Sequence, residues 1–508
     1  MRLHRLLLTV LITALVAGCG SSGSSGGGSG SADPAQAIPS GTLVYVEGAV
    51  RPEGDQGDNV RALLQKFMPA GTTLESLLDK SIQKDDPGKS YAKDIKPWLG
   101  ERAGIGVVDL TGDDSSFIAA LDVTDADKAE AFISSSKGAR ARGSEYKGAQ
   151  PYVDADDQTW AAVKDDYLFF AETEANLKRG IDAADGDSLA DGKVFQDAIG
   201  DLPDERLGAL FVDLKGVVGL AGQNLGPSEA AVLKQVLGNS TKPITAALTA
   251  ESDSATIEAR APALSLGLIG AGESTDLVKD APADSFAVFG AAGVGATIKT
   301  TVEKFAGALG GAALTGQLES QTGINLDRDV YSWIGDVAVF ARGESVATLN
   351  GALVIGVTDQ DAAKAAIPRL IAAAKRNGAP VAKADVKGAD QAYSLPVPGA
   401  PGPVVIAQGG DRVVLAFGED AAAEGLAPST DTIADSGRYD AAKGAIDGIA
   451  PSLLVSLPAV LKLAESSGAT DDADYTQAKP YLDKLDLVVT GSEKDGDSLR
   501  SLFTVTTK

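Results

Sequence analysis

A chain that repeats its own motifs in the same order is constrained to fold as two copies of one plan, and two of this sequence's motif pairs recur at a spacing of 234–235 residues. Ile38-Pro39-Ser40-Gly41-Thr42-Leu43-Val44-Tyr45-Val46 opens the first copy, and Ala281-Pro282-Ala283-Asp284-Ser285-Phe286-Ala287-Val288-Phe289 opens the second. Asp94-Ile95-Lys96-Pro97-Trp98-Leu99-Gly100 then matches Asp329-Val330-Tyr331-Ser332-Trp333-Ile334-Gly335. Val123-Thr124-Asp125-Ala126-Asp127 matches Val357-Thr358-Asp359-Gln360-Asp361. The tryptophans lie 235 residues apart and the aspartates 234. Agreement to one residue across separate motifs points to an internal duplication. The length, 508 residues, also exceeds the ~250–300 residues at which single cores stop growing.

Within a copy, strand and helix patterns alternate. Leu43 to Val46 reads as strand, while Val60, Leu63, Leu64 and Phe67 recur at helical spacing, as do Leu74, Leu77 and Leu78. Ile105 to Val108 and Phe117 to Val123 read as neighbouring strands, split by a polar turn at Thr111 to Ser115. Thr159 to Val163 and Tyr167 to Ala171 read as a hairpin around Lys164-Asp165-Asp166. Helices are expected at Glu174 to Ala184 and Val194 to Leu202, then strands at Leu207 to Leu214, Ile244 to Ala250 and Ala255 to Ala259. The second copy closes with strands at Leu485 to Gly491 and Ser498 to Thr506. Hairpins joined by polar turns favour α+β: two homologous units, each a mainly antiparallel sheet packed with helices.

The first nineteen residues give an address. Arg2 and Arg5 precede the apolar run Leu6 to Val16, which ends in Ala17-Gly18-Cys19, the pattern of an export signal with a small-residue cleavage site. The run is shorter than the ~20 apolar residues of a membrane-spanning helix. Leu15-Val16-Ala17-Gly18-Cys19 resembles the lipobox of bacterial lipoproteins. The resemblance implies that Cys19 is lipidated and begins the mature chain, on the extracytoplasmic face of the cell membrane. Gly/Ser-rich sequence follows, and residues 20–37 would span roughly 25 Å as a flexible coil. The expected layout is a signal peptide over 1–18, lipidated Cys19 and tether over 19–37, a first unit over 38–262, a connector over 263–280 and a second unit over 281–508.

That address limits the chemistry. His4 and Cys19 are the only histidine and cysteine; cleavage removes the first, and lipidation consumes the thiol of the second. A mature chain of this kind lacks the side chains for Ser-His-Asp or Cys-His catalysis, His/Cys zinc sites, iron–sulfur clusters and disulfides. No cofactor and no metal are expected. The net charge of −25 disfavours nucleic acid and anionic headgroups as direct partners.

The same motifs carry a likeness. The lipobox, the Ile38 to Thr42 start, Val60 to Phe67 and Asp94 to Gly100 resemble a bacterial lipoprotein family catalogued as domain of unknown function 3352. That family has no assigned activity, so the resemblance transfers no catalytic residues.

Several local patterns invite chemistry and have plainer explanations. The Thr-Asp-x-Asp segments at 124–127 and 358–361 place carboxylates close together but lack the glycine of a calcium loop; each precedes a helical pattern and suits an N-cap. Trp98 and Trp333 are the ligand-contact candidates, against a simpler role as packing anchors. Asp154, Asp156 and Asp157 beside Tyr152 and Trp160 form an acidic group that reads as a solvated turn. Ser81-x-x-Lys84 and Ser134-x-x-Lys137 have the Ser–Lys spacing without the companion motifs of penicillin-recognising enzymes. Gly23-Ser24-Ser25-Gly26-Gly27 matches a nucleophile elbow only formally. Catalytic residues are not expected.

The leading expectation is a non-enzymatic envelope protein that binds or scaffolds, tied to the membrane through Cys19, its partner an apolar small molecule or an envelope protein. A carrier of lipid or another apolar molecule is the alternative, with Leu264 to Ile269 apolar enough to line a cavity. A hydrolase of envelope glycans using paired carboxylates is a third reading.

Overall fold

In the computed structural model the matched motifs become matched elements. The structure describes residues 32–508 except 69–71, 86, 110–115, 137–138, 142–143, 155–157, 225, 227–241, 263–272, 310, 398–401 and 429. The expected signal peptide, Cys19, the Gly23–Gly27 pattern, the expected Thr111–Ser115 turn and Leu264–Ile269 therefore lie outside the described residues. Two compact units emerge; one has its strands and helices before residue 263, the other after residue 272.

The first unit contains β1 (Val44–Ala49), β2 (Leu99–Asp109), β3 (Ser116–Val123), β4 (Ala139–Ala141) and β5 (Tyr152–Asp154). It continues with β6 (Trp160–Lys164), β7 (Tyr167–Ala171), β8 (Gly208–Val212), β9 (Ile244–Ala250) and β10 (Ser254–Pro262). The order across its sheet is β4-β5-β6-β7-β3-β2-β1-β8-β9-β10, antiparallel at every step. Its helices are α1 (Gly54–Phe67), α2 (Leu74–Asp85), α3 (Ala126–Ser134), α4 (Glu174–Ala184), α5 (Lys193–Gly200) and α6 (Leu214–Asn224).

The second unit contains β11 (Ala287–Ala291), β12 (Ile334–Arg342), β13 (Asn350–Val357), β14 (Ala382–Lys383) and β15 (Gln391–Leu395). After them come β16 (Val404–Gly409), β17 (Arg412–Phe417), β18 (Pro451–Ser456), β19 (Leu485–Asp495) and β20 (Ser498–Thr507). The order is β14-β15-β16-β17-β13-β12-β11-β18-β19-β20, again antiparallel throughout. Its helices are α7 (Val294–Leu309), α8 (Gly311–Thr322), α9 (Gln360–Arg376), α10 (Glu419–Leu426), α11 (Gly437–Gly444), α12 (Leu457–Ser466) and α13 (Ala473–Leu482). The architecture is α+β, and the two sheets have the same strand order.

The one-residue difference between the two sequence spacings has a structural cause. The β2–β3 ladder is interrupted between Leu99 and Ala103, whereas the β12–β13 ladder is interrupted between Ile334 and Val337. Gly100, Glu101 and Arg102 fill the first irregularity, and only Gly335 and Asp336 the second. A bulge absorbs the extra residue without moving the strands on either side.

Each unit begins earlier than the motifs suggest. Pro34–Ala37 forms a 3-10 turn capped by Asp33, whose Oδ1 accepts from the Ala35 N–H at 2.9 Å. Ala35, Ala37 and Ile38 are fully buried. The Tyr167 hydroxyl donates to the Asp33 carbonyl at 3.0 Å, and the Asp122 carboxylate accepts from the backbone N–H groups of Glu101 and Ala32. Residues 32–37, expected in the tether, thus belong to the folded core. The small residues and Pro34 that make the segment read as linker are what lets it lie flat on the sheet. Thr275 and the turn Asp276–Val278 repeat the arrangement, so the expected connector also gives its last residues to a core.

Candidate functional site

The paired signatures build paired anchors. A five-residue π-turn, Tyr91–Ile95 or Asp327–Tyr331, leads into each tryptophan. Trp98 Nε1 donates to the Asp94 carbonyl at 2.7 Å, and Trp333 Nε1 to the Asp329 carbonyl at 2.9 Å. Both indoles are buried, at 1% and 3% exposure. Each tryptophan carbonyl in turn accepts from Thr124 or Thr358, which ties the anchor to the following helix cap. Asp125 and Asp359 are those caps, accepting from Lys128 N–H at 3.1 Å and Ala362 N–H at 2.9 Å. The Thr-Asp-x-Asp carboxylates are therefore spent on helix N-termini. Among the described residues no group of three or more His, Cys, Asp or Glu is arranged to hold a metal.

The anchors differ in their electrostatics. Asp329 is fully buried, chelated by Arg328 at 2.6 and 2.8 Å and reached by Arg369 at 2.8 Å. The Arg328 guanidinium, aided by Arg369 and the Asn325 N–H, holds its carboxyl well below the usual carboxylate range. The first unit concentrates charge elsewhere. Glu47, 5% exposed, receives Arg102 at 2.6 Å, Arg206 at 3.3 Å and the Tyr45 hydroxyl at 3.2 Å. Burial, with Glu47 nearby, pushes the Asp33 carboxyl up. Glu47 is thus balanced by two arginines, and Asp33 serves as the cap of the packed 32–38 segment.

The remaining sequence candidates are scattered. Asp154 is fully buried in β5 and is not part of a solvated turn; Asp156 and Asp157 lie outside the described residues. Ser81 and Lys84 are exposed on α2. Ser134 donates to the Ala131 carbonyl within α3, and Lys137 lies outside the described residues.

What the sequence does not single out is an unfinished apolar surface on the second sheet. One face is closed: Val288, Phe340, Val354, Val414, Leu454, Val489 and Leu502 are all under 5% exposed, packed with Ala421, Ala422 and Ala442 of α10 and α11. On the other face, α9 closes the part around Trp333 with Ile367 and Ile371. The rest of that face carries a cross-strand row: Phe503, Thr490, Leu453, Phe289 and Val339, each paired with the next. Phe503 is 41% and Val339 39% exposed; the three between are half-buried. Thr490 contributes the row's one polar group, and its hydroxyl is within hydrogen-bond distance of Ser452 Oγ, at 3.0 Å.

Two helices of this unit are thinly packed. α7 lies on β12, and α12 on β18 and β19. Neither α12 nor α13 contains a buried residue, although α12 presents Leu457, Val460, Leu461 and Leu463. Helices of this length owe most of their stability to a buried apolar face. α12 and α13 are instead braced by Lys479 and Tyr475 on Glu465, at 2.5 and 3.1 Å. In the first unit the corresponding row is Ala259, Ala246, Leu210, Val46 and Ile105, all half-buried, with alanines in the places of Phe503 and Thr490.

Each unit is thus an antiparallel α+β sheet packed with helices, and the second carries a partly exposed apolar row on one sheet face. The chain belongs to the family described as protein of unknown function (DUF3352), whose model matches residues 6–445. The match stops before β18, so β18, β19, β20 and the α12–α13 pair lie beyond the matched span. No curated protein matches the chain. Among solved structures, crystal forms III, IV and I of TP0453 are similar at 12%, 13% and 12% identity. They cover 47%, 45% and 47% of this chain and 81%, 80% and 80% of theirs, with TM-scores of 0.26, 0.26 and 0.25. A likeness of this size bears on neither ligand nor role. No helix among the described residues is long and apolar enough to cross a membrane.

Proposed function

We propose that this protein is a non-enzymatic, membrane-tethered binding protein of the cell envelope, and that its ligand is apolar. The observation that carries this reading is the half-open row on the second sheet. Folding normally removes large apolar side chains from water at ~25 cal/mol per Å², and here Phe503, Leu453, Phe289 and Val339 keep part of their surface exposed under helices able to cover them. A ligand that completes that cover recovers the unspent hydrophobic free energy. This favours the carrier over the scaffold, since a scaffold needs no incomplete interior. The anchor at Cys19 and the Gly/Ser tether would keep the binding units at the membrane surface, where apolar ligands are concentrated.

Native mass spectrometry of the full chain purified from membranes tests the reading. A non-covalent apolar adduct that leaves on mild activation is the expected result. A bare protein mass, together with no uptake of added lipid, would remove the reading.

A further inference from the structure

We propose that the Asp33–Pro34 peptide bond is a self-cleavage site, where the fold cuts its own chain once and frees everything from Pro34 onward from the lipid anchor. The cut is a single-turnover step that does not depend on the apolar-ligand reading. Its consequence, release from the membrane, rests on the tether at Cys19.

The reacting groups converge on one carbonyl. The Asp33 carbonyl oxygen accepts from the Gln36 N–H at 3.0 Å and from the Tyr167 hydroxyl at 3.0 Å; Gln36 Oε1 lies farther from that hydroxyl, at 3.4 Å. Two donors on one carbonyl oxygen are what an oxyanion hole supplies when the carbon is attacked. Burial, with Asp33 nearby, pushes the Tyr167 phenol up, so it keeps the proton it donates. The attacking group belongs to the same residue: the Asp33 carboxyl reaches its own carbonyl carbon through a five-membered ring, which needs no encounter. Its Oδ1 accepts from the Ala35 N–H at 2.9 Å, which holds the carboxyl against the backbone that follows it. Asp33 is half-buried, so water reaches the site.

The step balances with water as its one co-reactant. A carboxyl oxygen of Asp33 bonds to the Asp33 carbonyl carbon, and the carboxyl proton passes to the Pro34 nitrogen. The bond between that carbon and nitrogen breaks, its electron pair staying on the nitrogen, and the Asp33 end is left as a cyclic anhydride. One water opens the anhydride to two carboxyl groups, and Pro34 becomes a free secondary amine. Ala35, Ala37 and Ile38, all fully buried, keep the new N-terminus on the sheet.

The fold itself does not require an Asp-Pro pair here. The matching turn of the second unit begins Thr275-Asp276, with the Thr275 hydroxyl as its cap; it has neither a carboxyl at the cap nor a proline after it. The pair stands in the copy that follows Cys19. Acid should quicken the cut. Burial pushes the Asp33 carboxyl up and Glu47 adds to this, against Arg102 and Arg206; Tyr45, Tyr167 and Asp122 are the other ionisable groups against the turn. The carboxyl therefore keeps its proton to a higher pH than an ordinary aspartate, whose value is about 3.9, and that proton is the one the Pro34 nitrogen needs.

The test is the intact mass of the full chain purified from membranes and held at about pH 5 or about pH 8, folded or in urea. Folded wild type should yield a product running from Pro34 to Lys508, at least tenfold faster at the lower pH and at least tenfold faster than the chain in urea. The other Asp–Pro bond, Asp86–Pro87, is the internal comparison and should stay intact. Tyr167→Phe keeps the ring, removes one donor and should slow the cut at least tenfold; Asp33→Asn removes the acid and should abolish it. Circular dichroism should be unchanged in both, and should Tyr167→Phe fail to fold, the comparison of folded with urea-unfolded wild type still decides. Equal rates in the folded and unfolded chain, or at both Asp–Pro bonds, would be ordinary acid lability and would overturn the proposal. So would a folded Tyr167→Phe cut at the wild-type rate, or a folded wild type with no product beginning at Pro34. None of these outcomes bears on the apolar-ligand reading, which stands or falls on what the chain binds.

Discussion

Replacing Trp333 tests the anchor reading at its most sensitive point. The indole is 3% exposed, packs with Ile355, Ile367, Ile371 and Val413, and donates to the Asp329 carbonyl at 2.9 Å. Trp333→Ala removes a large buried ring, a change that costs about 3–5 kcal/mol. Trp333→Phe keeps most of the apolar contact but orphans a buried carbonyl, at about 1–3 kcal/mol. With a urea m-value of about 3 kcal/mol per molar for a unit of this size, the alanine variant should lower the midpoint by about 1 M or more. The phenylalanine variant should fall between it and wild type. Unfolding followed by far-ultraviolet circular dichroism reads both, and Trp98→Ala and Trp98→Phe should reproduce the pattern. Shifts under about 0.5 kcal/mol, or loss of ligand binding in variants of unchanged stability, would refute the anchor and restore the tryptophans as ligand contacts.

Other consequences can be measured separately. Asp125→Ala and Asp359→Ala should each cost about 1 kcal/mol through loss of a helix cap, and millimolar calcium should leave the melting temperature of the wild type unchanged; a calcium-dependent rise would contradict the capping role. Because Arg328 and Arg369 lower the Asp329 pKa in the folded state, their pairing stabilises the second unit above the ordinary aspartate value near 3.9 and is lost as pH falls below it. Thermal unfolding should therefore show a destabilisation below about pH 4 that Asp329→Asn reduces, and an unaltered profile in that variant would oppose this. Asp33 has the opposite sign: its raised pKa makes the ionised form a cost that acid relieves, so Asp33→Asn should raise the midpoint at pH 7 while retaining the Ala35 cap. Labelling with a fatty-acid analogue should mark wild type and spare Cys19→Ala; an unlabelled wild type would contradict the anchor.

Much of the plan is legible in the sequence because its signals are local. Helix α4 is readable from end to end since Thr173 caps it, accepting from the Asn176 N–H, and Leu177 and Ile181 repeat at one-turn spacing toward the core. Strand β9 and the β6–β7 hairpin are equally plain. The docked segment at residues 32–38 is not, because only the distant partners Asp122 and Tyr167 distinguish it from linker. Short edge strands such as β4 and β14 contain two or three residues, too few for a period to show.

The apolar row escaped for a related reason. Val288-Phe289, Leu453-Leu454-Val455 and Leu487-Val488-Val489 are continuous apolar runs, the mark of strands covered on both faces. They promise cover without showing how complete it is. Whether Leu457, Val460 and Leu461 seal Leu453 and Phe289 depends on how α12 sits on β18 and β19, a property of packing that periodicity does not encode.

Hydrogen exchange followed by mass spectrometry, on the full chain with and without saturating long-chain lipid, addresses the central claim most directly. The account predicts rapid exchange over Leu457–Leu482 in the free protein, and marked slowing over β11, β12 and β18–β20, the strands of the apolar row, when lipid is bound. Bound lipid with no slowing in these strands, or slowing confined to other parts of the chain, would contradict it.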